Sequence, residues 1–155
     1  MRRVVASIAL VAAVTVMIAA RAAATDIRTL LNNQRPPETF KLIDVRQLAG
    51  LMKDKSSHVR IYDANGNELR KTAGMIVGAR PLSSSDHYNV ADELPTAHNA
   101  KLVFYCADKQ CLASHEAARR AVDAGYTDVS VMMDGIQGWR DAGEPVEYPN
   151  GHANN

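Results

Sequence analysis

The sequence predicts an α/β fold in which a mostly parallel central sheet is flanked by helices. Short apolar runs of strand length alternate with segments of helical character along the chain. The clearest run, Lys101–Tyr105, is almost entirely apolar, as expected for a strand that is covered on both faces. With 155 residues, of which 46% are hydrophobic and 23% charged, the chain has the composition of one ordinary globular domain. The formal net charge of +1 gives no electrostatic reason to expect a nucleic-acid partner.

The predicted elements follow one another over the whole domain. Five apolar runs are candidate strands: Phe40–Ile43, Val59–Ala64, Gly74–Ala79, Lys101–Tyr105 and Asp128–Met133. The helical segments are 45–53, 68–73, 114–124 and 138–142, with one further helical turn expected within 83–95. For Gly74–Ala79 the flanking glycines also allow a close approach of the backbone to the core. We expect Asp44 to cap the first helix, Ser114 to cap the helix over 114–124, and Gly125 to end that helix.

The first 24 residues have the order of features that is typical of a secretory signal peptide. Met1–Arg3 gives a positive start, Val4–Ala20 is apolar and uncharged, and Ala22–Ala24 offers the small residues that signal peptidase reads. The apolar stretch is also close to the roughly 17–25 residues that span a bilayer, so an uncleaved membrane anchor is the competing interpretation. We favour cleavage, which implies a periplasmic or secreted protein. The rest of the chain is predicted to comprise a lead-in (25–39), the domain (40–148) and a polar tail (149–155).

Cys106 follows directly on the predicted strand 101–105 and precedes the helix near Ser114. The loop between them therefore lies in front of a helix N-terminus, where free N–H groups and the helix dipole favour an anion. A thiolate at this position has a lowered pKa and is the nucleophilic form at neutral pH. Lys109 adds a positive charge to the loop, whereas Asp108 opposes it. We therefore predict that Cys106 is a nucleophile at the carboxyl end of a central strand, where ligands of α/β sheets bind.

Four segments carry short motifs that occur together, in this order, in one known family. The four segments follow, each with the family motif that it resembles in parentheses: Val59–Asn65 (a strand ending in Asp-x-Arg), Gly74–Ala79 (Gly-His-Ile-Pro-Gly-Ala), Leu102–Cys106 (a catalytic strand and cysteine) and Asp134–Val146 (Gly-Gly-Ile-x-x-Trp and Ala-Gly-x-Pro-Val). Over roughly residues 40–147 the chain thus resembles a rhodanese-like domain. The resemblance implies a three-layer rhodanese-like fold and a ping-pong sulfurtransferase. Cys106 would take sulfane sulfur from a small donor such as thiosulfate and pass the persulfide sulfur to cyanide or to a thiol.

The acceptor thiol implied by the resemblance belongs to a small molecule or to a thioredoxin-like protein. No cofactor and no metal are implied, and a membrane is involved only if the N-terminal segment stays uncleaved. The resemblance also implies that the backbone amides of the loop hold the persulfide. The loop residues concerned are Ala107, Asp108, Lys109, Gln110 and Leu112.

Two aspartates match the family's aspartate at the end of the first core strand. Leu42–Arg46 spells Leu-Ile-Asp-Val-Arg literally, but the spacing to Cys106 and the nearby Gly-x-Ile-x-Gly-Ala segment fit Asp63. We therefore assign Asp63 to the support of the site and Asp44 to helix capping.

The chain departs from the family at the loop, which has the pattern Cys-x4-Cys. Where the family commonly has Arg or Lys, this chain has Cys111. Cys111 either attacks a persulfide or sulfenic acid on Cys106 and so closes an internal disulfide, or it forms a structural disulfide. Cys-x5-Arg phosphatases, which use a similar loop, grip phosphate with an arginine at the position of Leu112, so phosphatase activity is not expected. Asn65 and Met75 also replace an Arg and a His of the family.

Replacement of the family's Arg or Lys by Cys111 leaves a second class of function open. In that alternative the domain is a non-catalytic binding module or a thiol-redox module, in which Cys106 and Cys111 rest as a disulfide.

Overall fold

The computed structural model describes residues 39–149. The predicted signal peptide, all but the last residue of the lead-in and all but the first residue of the tail lie outside this range. The strands are β1 (Lys41–Ile43), β2 (Arg60–Asp63), β3 (Met75–Ile76), β4 (Arg80–Pro81), β5 (Lys101–Tyr105), β6 (Asp128–Met132) and β7 (Val146–Glu147). The α-helices are α1 (Val45–Lys53), α2 (Asn67–Ala73), α3 (Val90–Glu93), α4 (Ala113–Asp123) and α5 (Gly135–Asp141), and Lys55–Ser57 forms a 3₁₀ turn. Within the described residues, no helix is long and apolar enough to cross a bilayer.

The central sheet has five strands in the order β1-β6-β5-β2-β4, and all of its pairings are parallel. In the central strand β5, Val103 lies opposite Ile61 on one side and Ser130 on the other. β3 and β7 form a separate antiparallel pair. Because the strands of the central sheet are parallel, their carboxyl ends meet at one edge. The α/β fold with a mostly parallel central sheet is confirmed.

A hydrophobic cluster covers each face of the central sheet. Leu102, Phe104 and Cys106 belong to the cluster that includes the buried alanines of α4. Val103 and Tyr105 belong to the other cluster, which includes the buried residues of α1 and α5. The side chains of β5 thus alternate between the two layers, as strand geometry requires. Continuing this alternation past the end of β5 turns Cys106 toward α4.

Local sequence signals are confirmed at several positions. β5 spans Lys101–Tyr105 as predicted. Asp44 caps α1 in a reciprocal capping box: its carboxylate accepts from the amide of Gln47 at 2.7 Å, and the side chain of Gln47 accepts from the amide of Asp44 at 2.9 Å. α4 ends just before Gly125, which adopts a left-handed φ of 94°.

The prediction that Ser114 caps α4 is wrong. The helix begins at Ala113 with Leu112 in the N-cap position, and Ser114 lies inside the first turn. Its side chain points from α4 toward the central sheet, where it is buried against Cys106.

Two other predicted segments differ from the structure by more than one residue at a boundary. The segment 74–79 forms a strand only at Met75–Ile76, since the amide of Ala79 donates to the carbonyl of Ile76 at 2.9 Å and closes a turn. The last helix begins at Gly135 rather than at Gly138.

Candidate active site

Cys106 is the first residue after β5, and it is only 1% exposed. The backbone around it is held by the N-terminus of α5. The amide of Ile136 donates to the carbonyl of Cys106 at 2.8 Å, and the amide of Gln137 donates to the carbonyl of Ala107 at 3.0 Å. These amides come from the first turn of a helix, where N–H groups have no partner within the helix itself. The start of the loop is therefore fixed through its main chain.

Gly135 allows this close approach of α5 to the loop. It has a left-handed φ of 64°, and a Cβ built on it would overlap with the backbone of Ala107 and Asp108. Both conditions favour glycine. The sequence motif that contains Gly135 thus has a structural reason, namely the contact between α5 and the loop.

The two cysteines of the chain form a disulfide in the structure, with their Cα atoms 6.3 Å apart. The hydroxyl oxygen of Ser114, itself 2% exposed, lies 3.2 Å from Sγ of Cys106. Because a disulfide sulfur carries no proton, the hydroxyl is the donor in this contact. The same donation would stabilise a Cys106 thiolate once the disulfide is open. Sequence reasoning missed this role of Ser114, which it had assigned to helix capping.

The other end of the loop is organised by Asp108. Its carboxylate oxygen Oδ1 accepts from the amide of Gln110 at 2.8 Å and from the amide of Cys111 at 3.1 Å. The amide of Gln110, one of those expected to hold a persulfide, is thus bonded inside the loop while the disulfide is closed. Leu112, at the end of the loop, is 60% exposed.

Lys109, the cation of the loop, pairs with Asp134. Its Nζ lies 3.1 Å from Oδ1 of Asp134, while Oδ2 of the same carboxylate accepts from the amide of Val45 at 3.0 Å. Beside this pair lies a cleft of about 420 Å³, lined by Asp108, Lys109, Gln110, Asp134, Gln137, Gly138 and Asp141. Its lining contains three carboxylates and one ammonium group, so its electrostatic potential disfavours an anion.

Asp63 is fully buried at the end of β2. Its Oδ1 accepts from the amide of Asn65 at 2.7 Å and from Nε of Arg70 at 3.3 Å, and its Oδ2 accepts from the hydroxyl of Tyr105. Tyr105 directly precedes Cys106 in the chain. Asp63 therefore supports the end of the strand that leads to Cys106.

Arg70 supplies the positive charge of this buried network, and sequence reasoning missed it. Its Nη2 donates to the carbonyls of Asp63 and Leu82, both at 2.9 Å, and its Nη1 donates to Oδ1 of Asn67 at 3.0 Å. Asn65 stands where the family motif has an arginine, but Arg70, from α2, brings a guanidinium to Asp63. No local pattern indicated this, because an arginine on a short polar helix is ordinarily exposed.

Tyr105 stays protonated in this network. Its burial raises the pKa of the phenol far above the usual value, and the negative charge of Asp63 together with the hydrogen bond to it raises the pKa further. The Tyr105 hydroxyl donates to Asp63 and accepts from the amide of Ile76 at 3.0 Å. It thereby ties the end of β5 to both β2 and β3.

Comparison with known proteins gives one family. The family model of the rhodanese-like domain matches residues 23–142. No curated protein matches the chain at a significant level of sequence similarity.

Solved structures of similar fold come from several bacteria. A possible tyrosine phosphatase from Rhodopseudomonas palustris is 27% identical, with a TM-score of 0.56 over 70% of this chain and 86% of that one. The polysulfide-sulfur transferase homodimer from Wolinella succinogenes is 12% identical, with a TM-score of 0.62 over 84% and 94%. The thiosulfate sulfurtransferase from Pseudomonas aeruginosa is 20% identical, with a TM-score of 0.58 over 70% of this chain and 20% of that one. At these low identities, the likeness to the two transferases concerns the fold alone.

Proposed function

The chain belongs to the rhodanese-like domain family, and on that premise we propose that it is an exported sulfurtransferase that carries sulfane sulfur as a persulfide on Cys106. The observation that carries the proposal is the position of this sulfur. It lies at the carboxyl end of the central strand, next to the N-terminus of α4 and 3.2 Å from the hydroxyl of Ser114. A helix N-terminus and a hydroxyl donor both favour the thiolate over the thiol.

The proposed reaction has two steps, and both are attacks of a nucleophile on sulfur. The Cys106 thiolate attacks the outer sulfur of a donor such as thiosulfate, the S–S bond of the donor breaks, and sulfite leaves with the electron pair. A thiolate or cyanide then attacks the outer sulfur of the persulfide and releases the Cys106 thiolate. Neither step needs a separate general base, since each requires only an anionic nucleophile and a leaving group. Ser114 stabilises the anion that starts and ends the cycle.

Cys111 offers the persulfide a second outcome. Its thiolate attacks Sγ of the Cys106 persulfide, hydrosulfide leaves with the electron pair, and the disulfide between the two cysteines forms. The contact between these two sulfurs in the structure supports this route. A cycle that ends this way needs a thiol reductant before it can begin again.

Phosphatase activity has less support, although one similar structure is a possible tyrosine phosphatase. The position six residues after Cys106 is occupied by Leu112, an exposed apolar side chain. It supplies no guanidinium to hold a phosphate.

Export is proposed from the order of features in residues 1–24. Expression of the full chain in a Gram-negative host tests it. We expect the protein in the periplasmic fraction, with a mature N-terminus close to residue 25. Recovery of the full-length chain in the membrane fraction would instead support the anchor, and recovery in the cytosol would exclude export.

Intact-mass measurement tests the persulfide. The reduced wild type, Cys106→Ser and Cys111→Ser are each incubated with thiosulfate or with glutathione persulfide. We expect a gain of one sulfur atom in the wild type and in Cys111→Ser, and no gain in Cys106→Ser. Cys111→Ser should retain more of the added sulfur, because only the wild type can discharge it by closing the disulfide. If no variant gains sulfur from either donor, the proposed function is wrong, and the redox or binding module takes its place.

A further inference from the structure

We propose that the disulfide is opened by a dithiol protein that attacks Cys111, so that Cys106 is the leaving thiolate. Cys111 is then the residue that forms the mixed disulfide with the partner. This inference goes beyond sulfur transfer, and it rests on the proposed function only for what Cys106 does after its release.

Access to the two sulfurs is unequal. A thiolate attacks a disulfide sulfur along the S–S axis, from the side opposite to the leaving sulfur. Cys106 is 1% exposed and packs in the cluster between the sheet and α4, with Ser114 against its sulfur. Cys111 is partly exposed, and Leu112 beside it is 60% exposed. An incoming thiol therefore reaches Cys111, and the apolar side chain of Leu112 offers a protein partner a contact next to it.

The leaving tendency of the two sulfurs points in the same direction. The sulfur that better stabilises a negative charge leaves faster. Sγ of Cys106 lies next to the first turn of α4 and accepts a hydrogen bond from the hydroxyl of Ser114, whose oxygen is 3.2 Å away. The carbonyl oxygen of Cys111, also 3.2 Å from this sulfur, opposes a negative charge there. That carbonyl belongs to Cys111, which is bonded to the partner rather than to Cys106 once the S–S bond breaks, so the disulfide no longer holds the carbonyl against this sulfur.

The complete step is a two-electron exchange. A thiolate of the partner bonds to Sγ of Cys111, the disulfide breaks, and its electron pair goes to Cys106. The second thiol of the partner then attacks the partner's own sulfur in the mixed disulfide and releases Cys111 as a thiolate. The partner ends as a disulfide, this chain has gained two electrons, and the two protons of the dithiol pass to the released cysteines or to water. Cys106 is thus free to accept sulfur before the partner has left.

The first experiment traps the mixed disulfide. The oxidised chain is mixed with a thioredoxin whose second active-site cysteine is replaced by serine, which stops the exchange after its first step. The mixture is quenched with acid, free thiols are alkylated with N-ethylmaleimide, and the linked peptides are mapped by mass spectrometry. We expect thioredoxin on Cys111 and the alkyl group on Cys106. Thioredoxin on Cys106, or no mixed disulfide at all, would overturn the inference.

The second experiment tests the leaving group by the rate at which intact reduced thioredoxin opens the disulfide. Ser114→Ala should slow opening by about threefold to tenfold, because the Cys106 thiolate loses a hydrogen-bond donor. Ser130→Ala is the matched control, since Ser130 is another buried serine, on β6, and its loss should leave the rate unchanged. Equal rates for the wild type and Ser114→Ala would refute the leaving-group assignment. Persulfide loading of the reduced chain is measured separately, so a chain that is attacked at Cys106 but still loads sulfur there would retain the proposed function and lose this inference.

Discussion

Arg70→Met removes the positive charge from the buried network beneath the site. The side chain of Arg70 donates four hydrogen bonds, of which two reach Asp63 and one the carbonyl of Leu82. Asp63 is 0% exposed, so after the substitution its carboxylate lies in the interior without a cation. Removing one partner of a buried ion pair costs about 3–5 kcal/mol. Because a domain of this size is stable by only about 5–15 kcal/mol, we expect Arg70→Met to be folded but marginal.

Urea unfolding, followed by circular dichroism and by the fluorescence of the buried Trp139, measures the loss. Lys71→Met is the matched control, because Lys71 is the next residue and forms only an exposed pair with Glu68 at 2.8 Å. Such a pair contributes about 0–1 kcal/mol.

A second substitution separates the buried charge from lost packing. Adding Asp63→Asn to Arg70→Met removes the uncompensated carboxylate, so we expect the double variant to recover part of the lost free energy of unfolding. The reasoning is refuted if Arg70→Met costs no more than Lys71→Met, or if the double variant is less stable than Arg70→Met.

Three further predictions follow from single contacts. Gly135→Ala should lower the free energy of unfolding by about 1–3 kcal/mol, because the added Cβ overlaps with the loop backbone. Gly50→Ala, whose Cβ lies in open space on α1, should raise it by about 0.5–1 kcal/mol. Similar urea midpoints for the two variants would contradict this. Burial raises the pKa of Tyr88 in the folded state, so this phenol should lower the free energy of unfolding above about pH 10 by up to about 1.4 kcal/mol per pH unit, in addition to the slopes from Tyr62 and Tyr105, and should contribute no slope below that pH. Tyr88→Phe should reduce that slope, and an unchanged slope would refute the assignment. Asp108→Ala frees two loop amides and removes a negative charge, so persulfide loading from thiosulfate, measured by intact mass, should rise by about tenfold in rate, and an unchanged rate would count against it.

Elements that depend on near neighbours in the chain could be predicted from the sequence. Lys101–Tyr105 is a strand because its continuous apolar run suits a position covered on both faces. Asp44 could be predicted as a cap because it directly precedes the helical apolar pattern over 45–53, and the structure adds its partner Gln47. Asp44 and Asp63 were separated by their spacing to Cys106, and in the structure Asp44 caps α1 while Asp63 binds the hydroxyl of Tyr105.

Contacts between distant segments could not be predicted in this way. The role of Arg70 depends on how α2 packs against the end of β2, where Asp63 lies. The role of Ser114 depends on where α4 begins: the helix begins one residue earlier than predicted, so Ser114 contacts Sγ of Cys106 instead of capping the helix. The Cys-x4-Cys spacing allowed a disulfide, and the structure contains it.

The loop that follows Cys106 is held differently at its two ends. The carbonyls of Cys106 and Ala107 are bound by α5, a separate element, whereas Cys111 is held by the disulfide and by Asp108, which belongs to the loop itself. Reduction therefore leaves the second half of the loop held only by its own hydrogen bonds, while the main chain at Cys106 stays bound to α5. A consequence for the evolution of the domain is that the ease of disulfide formation and the position of the Cys106 sulfur can change independently. Substitutions over 108–112 can alter how readily the disulfide forms without displacing the sulfur of Cys106.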